Sequence, residues 1–187
     1  LGVDANTAWD FTTALKAGRE FDRIGGALFE EPVFTDDWQS SKRLAEALDV
    51  PIAGYETEQL ATRFHTLIEE DCVDIVQPDL SWTGGITECR KIAAHAQVRH
   101  KAVAFHSFSS GVLLAASLQA LCAFPNGALL EFDQNPNGLR DDILVEPIEA
   151  DRDGRVAVPD RPGLGIELDE EHVQRYLVDA AAQPTNV

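Results

Sequence analysis

In Ala27-Leu28-Phe29-Glu30-Glu31-Pro32 an apolar run suited to a buried strand stops at two carboxylates and a proline. Proline supplies no N–H to a sheet ladder, so the strand ends there and Glu30 emerges at its carboxyl end. The same event recurs at Leu1-Gly2-Val3-Asp4 and at Pro51-Ile52-Ala53-Gly54-Tyr55-Glu56, which spaces Asp4, Glu30 and Glu56 at intervals of 26 residues. One strand, one helix and two loops need such a length. A chain that repeats them builds a parallel sheet or barrel, whose ligands collect at the carboxyl ends of the strands. A single strand-end acid is more often a helix cap or a solvated loop residue. Three in phase would repel one another unless a cation held them, and oxygen-only ligands select a hard ion, Mg2+ first and Mn2+ second.

The alternation continues outward. Strand-like runs fall near residues 1–4, 26–30, 51–55, 73–76, 101–105 and 128–132. Helix-like stretches with apolar positions three or four apart lie between them, at Asp10–Phe21, Asp37–Leu48, Glu58–Glu70, Gly85–Gln97 and Ser110–Phe124. This predicts an α/β fold with parallel strands, a barrel in preference to an open sheet. A (β/α)8 barrel needs roughly 250 residues, whereas this chain has 187, no Met, and opens inside a strand. The expectation is the C-terminal portion of a barrel, about six strands over residues 1–134. Residues 135–187 form an extension too short for its own core and expected to pack on another domain. It carries turn chemistry at Asn135-Pro136-Asn137-Gly138, a hairpin-like stretch at Asp151–Val158 and a short helix from Asp169 to about Ala180.

Hydrophobic content of 44% is ordinary for a globular domain, and no apolar run reaches the length of a membrane span. A soluble, cytoplasmic protein is expected. The net charge of −17, from 32 acidic against 15 basic residues, disfavours nucleic acid and anionic membranes because it repels phosphate. An excess of acids over few lysines fits a protein of a salt-loving organism as well as an acidic mesophilic enzyme. Cys72, Cys89 and Cys122 show no metal spacing and read as reduced thiols.

Asp79 and His106 each follow one of the next two strands, where neighbouring strand ends would bring them within hydrogen-bond reach. A carboxylate on one ring nitrogen fixes the imidazole tautomer and raises the basicity of the other, which makes His106 a candidate general base. Glu131 follows Ala128-Leu129-Leu130 and could hold its proton and donate a hydrogen bond to a developing oxyanion. Glu31 offers a further carboxylate at the same rim. Asn6, two residues beyond Asp4, should point the same way in an extended chain and contact a ligand oxygen. Trp82 is expected to line the pocket, and Ser107 and Ser109 beside His106 to contact substrate oxygens. Gly84-Gly85 reads as a loop requirement in preference to an anion site.

Together these segments resemble the enolase superfamily, within it the mandelate racemase and muconate lactonizing enzyme family. The resemblance rests on Val3-Asp4-Ala5-Asn6, Phe29-Glu30-Glu31-Pro32, Gly54-Tyr55-Glu56, Gln77-Pro78-Asp79 with Thr83-Gly84-Gly85-Ile86-Thr87-Glu88, and Phe105-His106-Ser107. It extends to Pro162-Gly163-Leu164-Gly165-Ile166-Glu167, similar to the segment by which these proteins return to an N-terminal capping domain. It implies a TIM-like (β/α)7β barrel, Mg2+ on Asp4, Glu30 and Glu56, and an Asp79–His106 dyad. It also implies that Glu131 bonds the carboxylate of a small-molecule substrate, and that the protein is a homo-oligomer. The muconate-lactonizing subgroup places a Lys where this chain reads Asp79-Leu80-Ser81-Trp82, so the mandelate racemase-like subgroup fits better. A second base, often in a Lys-x-Lys motif before the strand that ends at Asp4, and the capping domain are absent from this chain. What the resemblance implies is abstraction of the proton beside a carboxylate, with dehydration of a sugar acid to a 2-keto-3-deoxy acid as the leading outcome. Racemisation or epimerisation of a 2-hydroxy acid is the alternative. A non-catalytic scaffold is a rival, and a metal-dependent hydrolase is disfavoured by the all-carboxylate set.

Overall fold

The computed structural model describes residues 1–178. Its elements run β1 (Gly2–Asp4), α1 (Phe11–Ile24), β2 (Leu28–Glu30), α2 (Trp38–Ala47), β3 (Ile52–Gly54), α3 (Leu60–Glu69), β4 (Ile75–Val76) and α4 (Leu80–Thr83). They continue as α5 (Gly85–Val98), β5 (Ala102–Phe105), α6 (Gly111–Ala123), β6 (Gly127–Leu130), α7 (Gly138–Asp141) and α8 (Glu170–Arg175). The six strands form one sheet in sequential order, every neighbouring pair parallel. This is the barrel portion expected, each strand within a few residues of its predicted place. Among the described residues no helix is long and apolar enough to cross a membrane.

The helices begin where polar side chains can satisfy free backbone N–H groups. Asp10, Asp37 and Ser110 cap α1, α2 and α6 by accepting from the amides of Thr13, Ser40 and Leu113. Alternate strand residues then divide between two cores. Phe29, Ile52, Val76, Val103 and Phe105 pack against the helices with Leu44, Phe64, Leu67 and Ile92. Leu28, Ala53, Ile75, Ala102 and Ala104 form a smaller cluster on the other face, the barrel interior.

The tail departs from its expected form. Asn137, read as part of a turn, caps the short helix α7 by accepting from the Leu139 amide. The Asp151–Val158 stretch does form a turn, the Asp151 amide donating to the Arg155 carbonyl at 2.8 Å, but among the described residues it is closed by the one antiparallel bridge Ala150↔Val156, and a second bridge joins Leu144 to Leu168. Ile143 and Leu144 are buried, and the tail docks on α6: a Cβ on Gly111 would meet the Arg140 carbonyl at 2.6 Å, so only glycine allows that approach. Gln119 on α6 also donates to the carbonyls of Pro159 and Leu164. The helix expected from Asp169 is α8; its predicted end near Ala180 lies outside the described residues.

Candidate active site

Strand parity decides which strand-end side chains meet. On β2 the inward residue Leu28 is followed in phase by Glu30, and Asp4 stands opposite Glu30 in the β1–β2 register. On β4 the inward Ile75 is followed by Gln77 and Asp79, and on β5 Ala102 and Ala104 are followed by His106. Two positions would fail this count. Ala53 faces inward on β3, so an extended chain would turn Glu56 outward; Gly54 (φ 156°) and Tyr55 (φ 77°) break the alternation there. A left-handed tyrosine costs on the order of 1–3 kcal/mol, and its helix-facing ring is 4% exposed. On β6 a register irregularity between Val103↔Gly127 and Phe105↔Leu130 inserts one residue, so Glu131 rather than Leu130 comes into phase with His106.

The result is a cavity of about 280 Å3 at the carboxyl strand ends, lined by Asp4, Glu30, Glu56, His106 and Glu131 together with Asn6, Ser107, Phe108, Phe132 and Asp133. Asp79 lies beneath it, 1% exposed, and its Oδ2 is 2.7 Å from His106 Nδ1. The other Asp79 oxygen accepts from the Ser81 amide at 2.6 Å and from the Ser81 hydroxyl. That leaves His106 Nε2 3.6 Å from Glu56 Oε2. The Ser107 amide donates to Glu131 Oε2 at 3.1 Å, tying the ends of β5 and β6 together.

Crowded carboxyls in a half-buried cleft hold one another's protons. Burial opposes the charged form of His106, but the bond to Asp79 and the charges of Glu56 and Glu131 outweigh it and lift the imidazole to about 9. Burial, then the Glu30 charge, pushes Glu131 up to about 8. Glu56 is raised by burial, with His106 opposing and Glu30 and Asp4 adding. Glu30 is raised by burial, against a hydrogen bond from Gln77 and with the Asp4 charge adding. Asp79 moves the other way: burial is outweighed by its bonds to His106 and Ser81.

Among the described residues no three His, Cys, Asp or Glu side chains stand close enough together to cage an ion as they are. The donor chemistry nonetheless fits a hard divalent cation. Asp4, Glu30 and Glu56 offer only oxygens to one cavity, and burial and mutual repulsion raise Glu30 and Glu56 as a counter-charge would relieve.

A family model described as "Enolase C-terminal domain-like" matches residues 1–172. The chain belongs to that family. Within this enolase-like family it is 42% identical to the arabinonate dehydratase of Saccharolobus solfataricus, over 94% of this chain and 47% of the relative. The crystal structure of the 3,6-anhydro-D-galactonate cycloisomerase from Zobellia galactanivorans superposes with a TM-score of 0.88 at 34% identity, over 96% of this chain and 50% of that one. A variant of L-talarate/galactarate dehydratase liganded with Mg and L-glucarate superposes with a TM-score of 0.77 at 34% identity, over 93% and 42%. The chain thus spans about half the length of the curated relatives it matches.

Against this enolase-like frame, three expectations need correction. Trp82 is 54% exposed and absent from the cavity wall: Asp79 accepts from the Ser81 and Trp82 amides and turns the chain at once into α4, an element not predicted. Asn6 does line the cavity, but from a left-handed backbone (φ 47°) whose N–H donates to Asp4 Oδ1 at 2.7 Å, not from an extended strand. Glu31 leaves the rim, packs beside Ser41 and Tyr55, and accepts from the Tyr55 amide. Sequence reasoning missed Gln77, 2% exposed with an unpartnered Oε1 among the described residues, although a polar residue two before Asp79 in a buried strand was its signal. It also missed Phe108, Phe132 and Asp133, which only the β6 irregularity and the loop paths bring in.

Proposed function

We propose that this chain supplies the cation-holding and general-base half of a sugar-acid dehydratase. The observation that carries the reading is the 2.7 Å contact of Asp79 with His106 Nδ1, which leaves Nε2 at the cavity shared with Asp4, Glu30, Glu56 and Glu131. Asp4, Glu30 and Glu56 would hold Mg2+, with Mn2+ able to replace it; bound there, the cation would draw charge from the substrate carboxylate, acidify the neighbouring C–H and lower the affinity of His106 for its proton. His106 Nε2 takes the proton beside the carboxylate, and Asp79 holds the imidazole in the required tautomer. Glu131, protonated near neutral pH, donates to the carboxylate oxygen on which negative charge develops. The imidazolium then returns its proton to the departing β-hydroxyl, which leaves as water, and the resulting enol tautomerises to a 2-keto-3-deoxy acid.

Dehydration is favoured over isomerisation by the arabinonate dehydratase relative, 42% identical against 34% for the cycloisomerase. The two share the proton-abstraction step and part only afterwards. A capping domain over the cavity and homo-oligomeric assembly belong to the same proposal. The test is incubation of the full-length protein and Mg2+ with a panel of aldonic and aldaric acids, arabinonate first. A semicarbazide-reactive keto product is expected. Loss of optical rotation without one would replace dehydration by racemisation.

A further inference from the structure

We infer that Arg140, in the tail helix α7, is a positioning residue that sets the cavity wall beside Glu131. The inference rests on the cavity being the substrate site. Glu131 continues without secondary structure into Phe132, Asp133, Gln134 and Asn135, and the first three of these five line the cavity. A loop of this kind is mobile unless its backbone groups are tied. Arg140 ties them. Its side chain is 11% exposed and that of Asp133 6%. One terminal nitrogen donates to the Asp133 carbonyl and, at 3.0 Å, to Asp133 Oδ2; the other donates to the Asn135 carbonyl at 3.0 Å. Asp141 takes the remaining donors, from Nε at 2.7 Å and from the second terminal nitrogen at 2.9 Å. All five guanidinium N–H groups are thereby engaged, a planar fork that a lysine ammonium with three donors cannot reproduce.

The same short helix reaches the other catalytic loop. Asn137, its N-cap, donates from Nδ2 to the Ser109 carbonyl at 2.6 Å, three residues beyond His106. α7 therefore brackets the loops after β5 and β6 that carry the base and the acid. From behind, Tyr176 donates to Asp142 Oδ2 at 3.1 Å and packs so close that a Cβ on Gly138 would lie 1.8 Å from its hydroxyl. Asp133, although at the cavity, is not free to meet substrate: Oδ1 accepts from the Asn135 amide and side chain at 2.9 and 2.7 Å, and Oδ2 from Arg140.

The test compares Arg140→Gln, Arg140→Lys and Asp133→Asn in the full-length protein, by amide hydrogen–deuterium exchange and by arabinonate kinetics. Expected is exchange about tenfold faster in residues 131–137 with β2 to β4 unchanged, in both Arg140 variants. KM for arabinonate should rise about tenfold while kcat falls less, because the acid facing the substrate carboxylate is misplaced. Asp133→Asn, which keeps the side-chain volume but replaces the oxygen that accepts from Arg140, should loosen the same residues and covers the case in which Arg140→Gln does not fold. Protection of 131–137 unchanged in the variants, loosening spread over β2 to β4, wild-type behaviour of Arg140→Lys, or a loosened loop with KM unchanged would each overturn the inference. Absence of arabinonate turnover in the wild type would count against the proposed function alone, and the exchange arm would still decide the role of Arg140.

Discussion

The Asp79–His106 pair and the carboxylate set of this cavity are held in different ways. Asp79 and His106 follow the interior strands β4 and β5, bridge each other directly, and are fixed by a short hydrogen bond with Ser81 behind it. Asp4, Glu30 and Glu56 line the same cavity but form no ready cage among the described residues. The dyad is thus assembled by neighbours that this chain contains. The cation set has no such mutual bonds and shares only the cavity.

The strongest way to break this contrast is to separate the two halves chemically. His106→Asn should remove the base and leave every carboxylate in place. Exchange of the substrate α-proton in deuterated water, followed by proton NMR, is expected to fall by about 10²–10⁴-fold. Mg2+ binding by calorimetry should be retained or tighten, because His106 supplies no ligand to a hard ion and its protonated form repels one. Undiminished exchange would mean that another group faces that proton. Glu56→Gln should produce the complementary pattern, a weakening of Mg2+ binding by at least about 10-fold, since even outer-shell partners of a metal are worth about 10–100-fold. Unchanged affinity would remove Glu56 from the cation set and leave it only as the partner of His106 Nε2.

The same contrast marks what could be read from residues alone. Asp4, Glu30, Asp79 and His106 were legible because each is in phase with an inward residue of a regular strand, so that locating the strand end locates the side chain. Glu56 and Glu131 were named correctly only as strand-end acids. Their inward aim depends on a left-handed Tyr55 and on one inserted residue against β5, neither of which hydrophobic pattern records. Trp82 failed for a related reason: the carboxylate of Asp79 that serves His106 also caps α4, and capping redirects the chain within three residues. The tail was least legible. Its turn-forming Asn137 and Gly138 are also a helix start, and only the burial of Arg140 beneath the β6 loop distinguishes the two.

The smallest expected effect is on stability, and it tests whether the carboxylates crowd as the geometry says. Glu31 is raised from 4.5 to about 7 by burial and then by Glu56, Glu131 from 4.5 to about 8, and His106 from 6.5 to about 9. Each group holds its proton more tightly folded than unfolded, so the folded state binds more protons over this range and stability must fall as pH rises. The contribution of the two glutamates is full below about 4.5 and that of His106 below 6.5; they are lost as pH passes about 7, 8 and 9 in turn. Asp79 has the opposite sign, but its lowered value confines its effect to acid below the ordinary 3.8. Without divalent cations, Tm by circular dichroism should therefore drop between pH 5 and 9 by on the order of 5 °C. Mg2+ should restore most where the loss is greatest, near pH 9, because a cation binds the deprotonated carboxylates and relieves the repulsion that their titration creates. A flat profile in the absence of cations would mean that these groups are more solvated and stand farther apart in solution, and the contrast between a fixed dyad and a crowded carboxylate set would be lost.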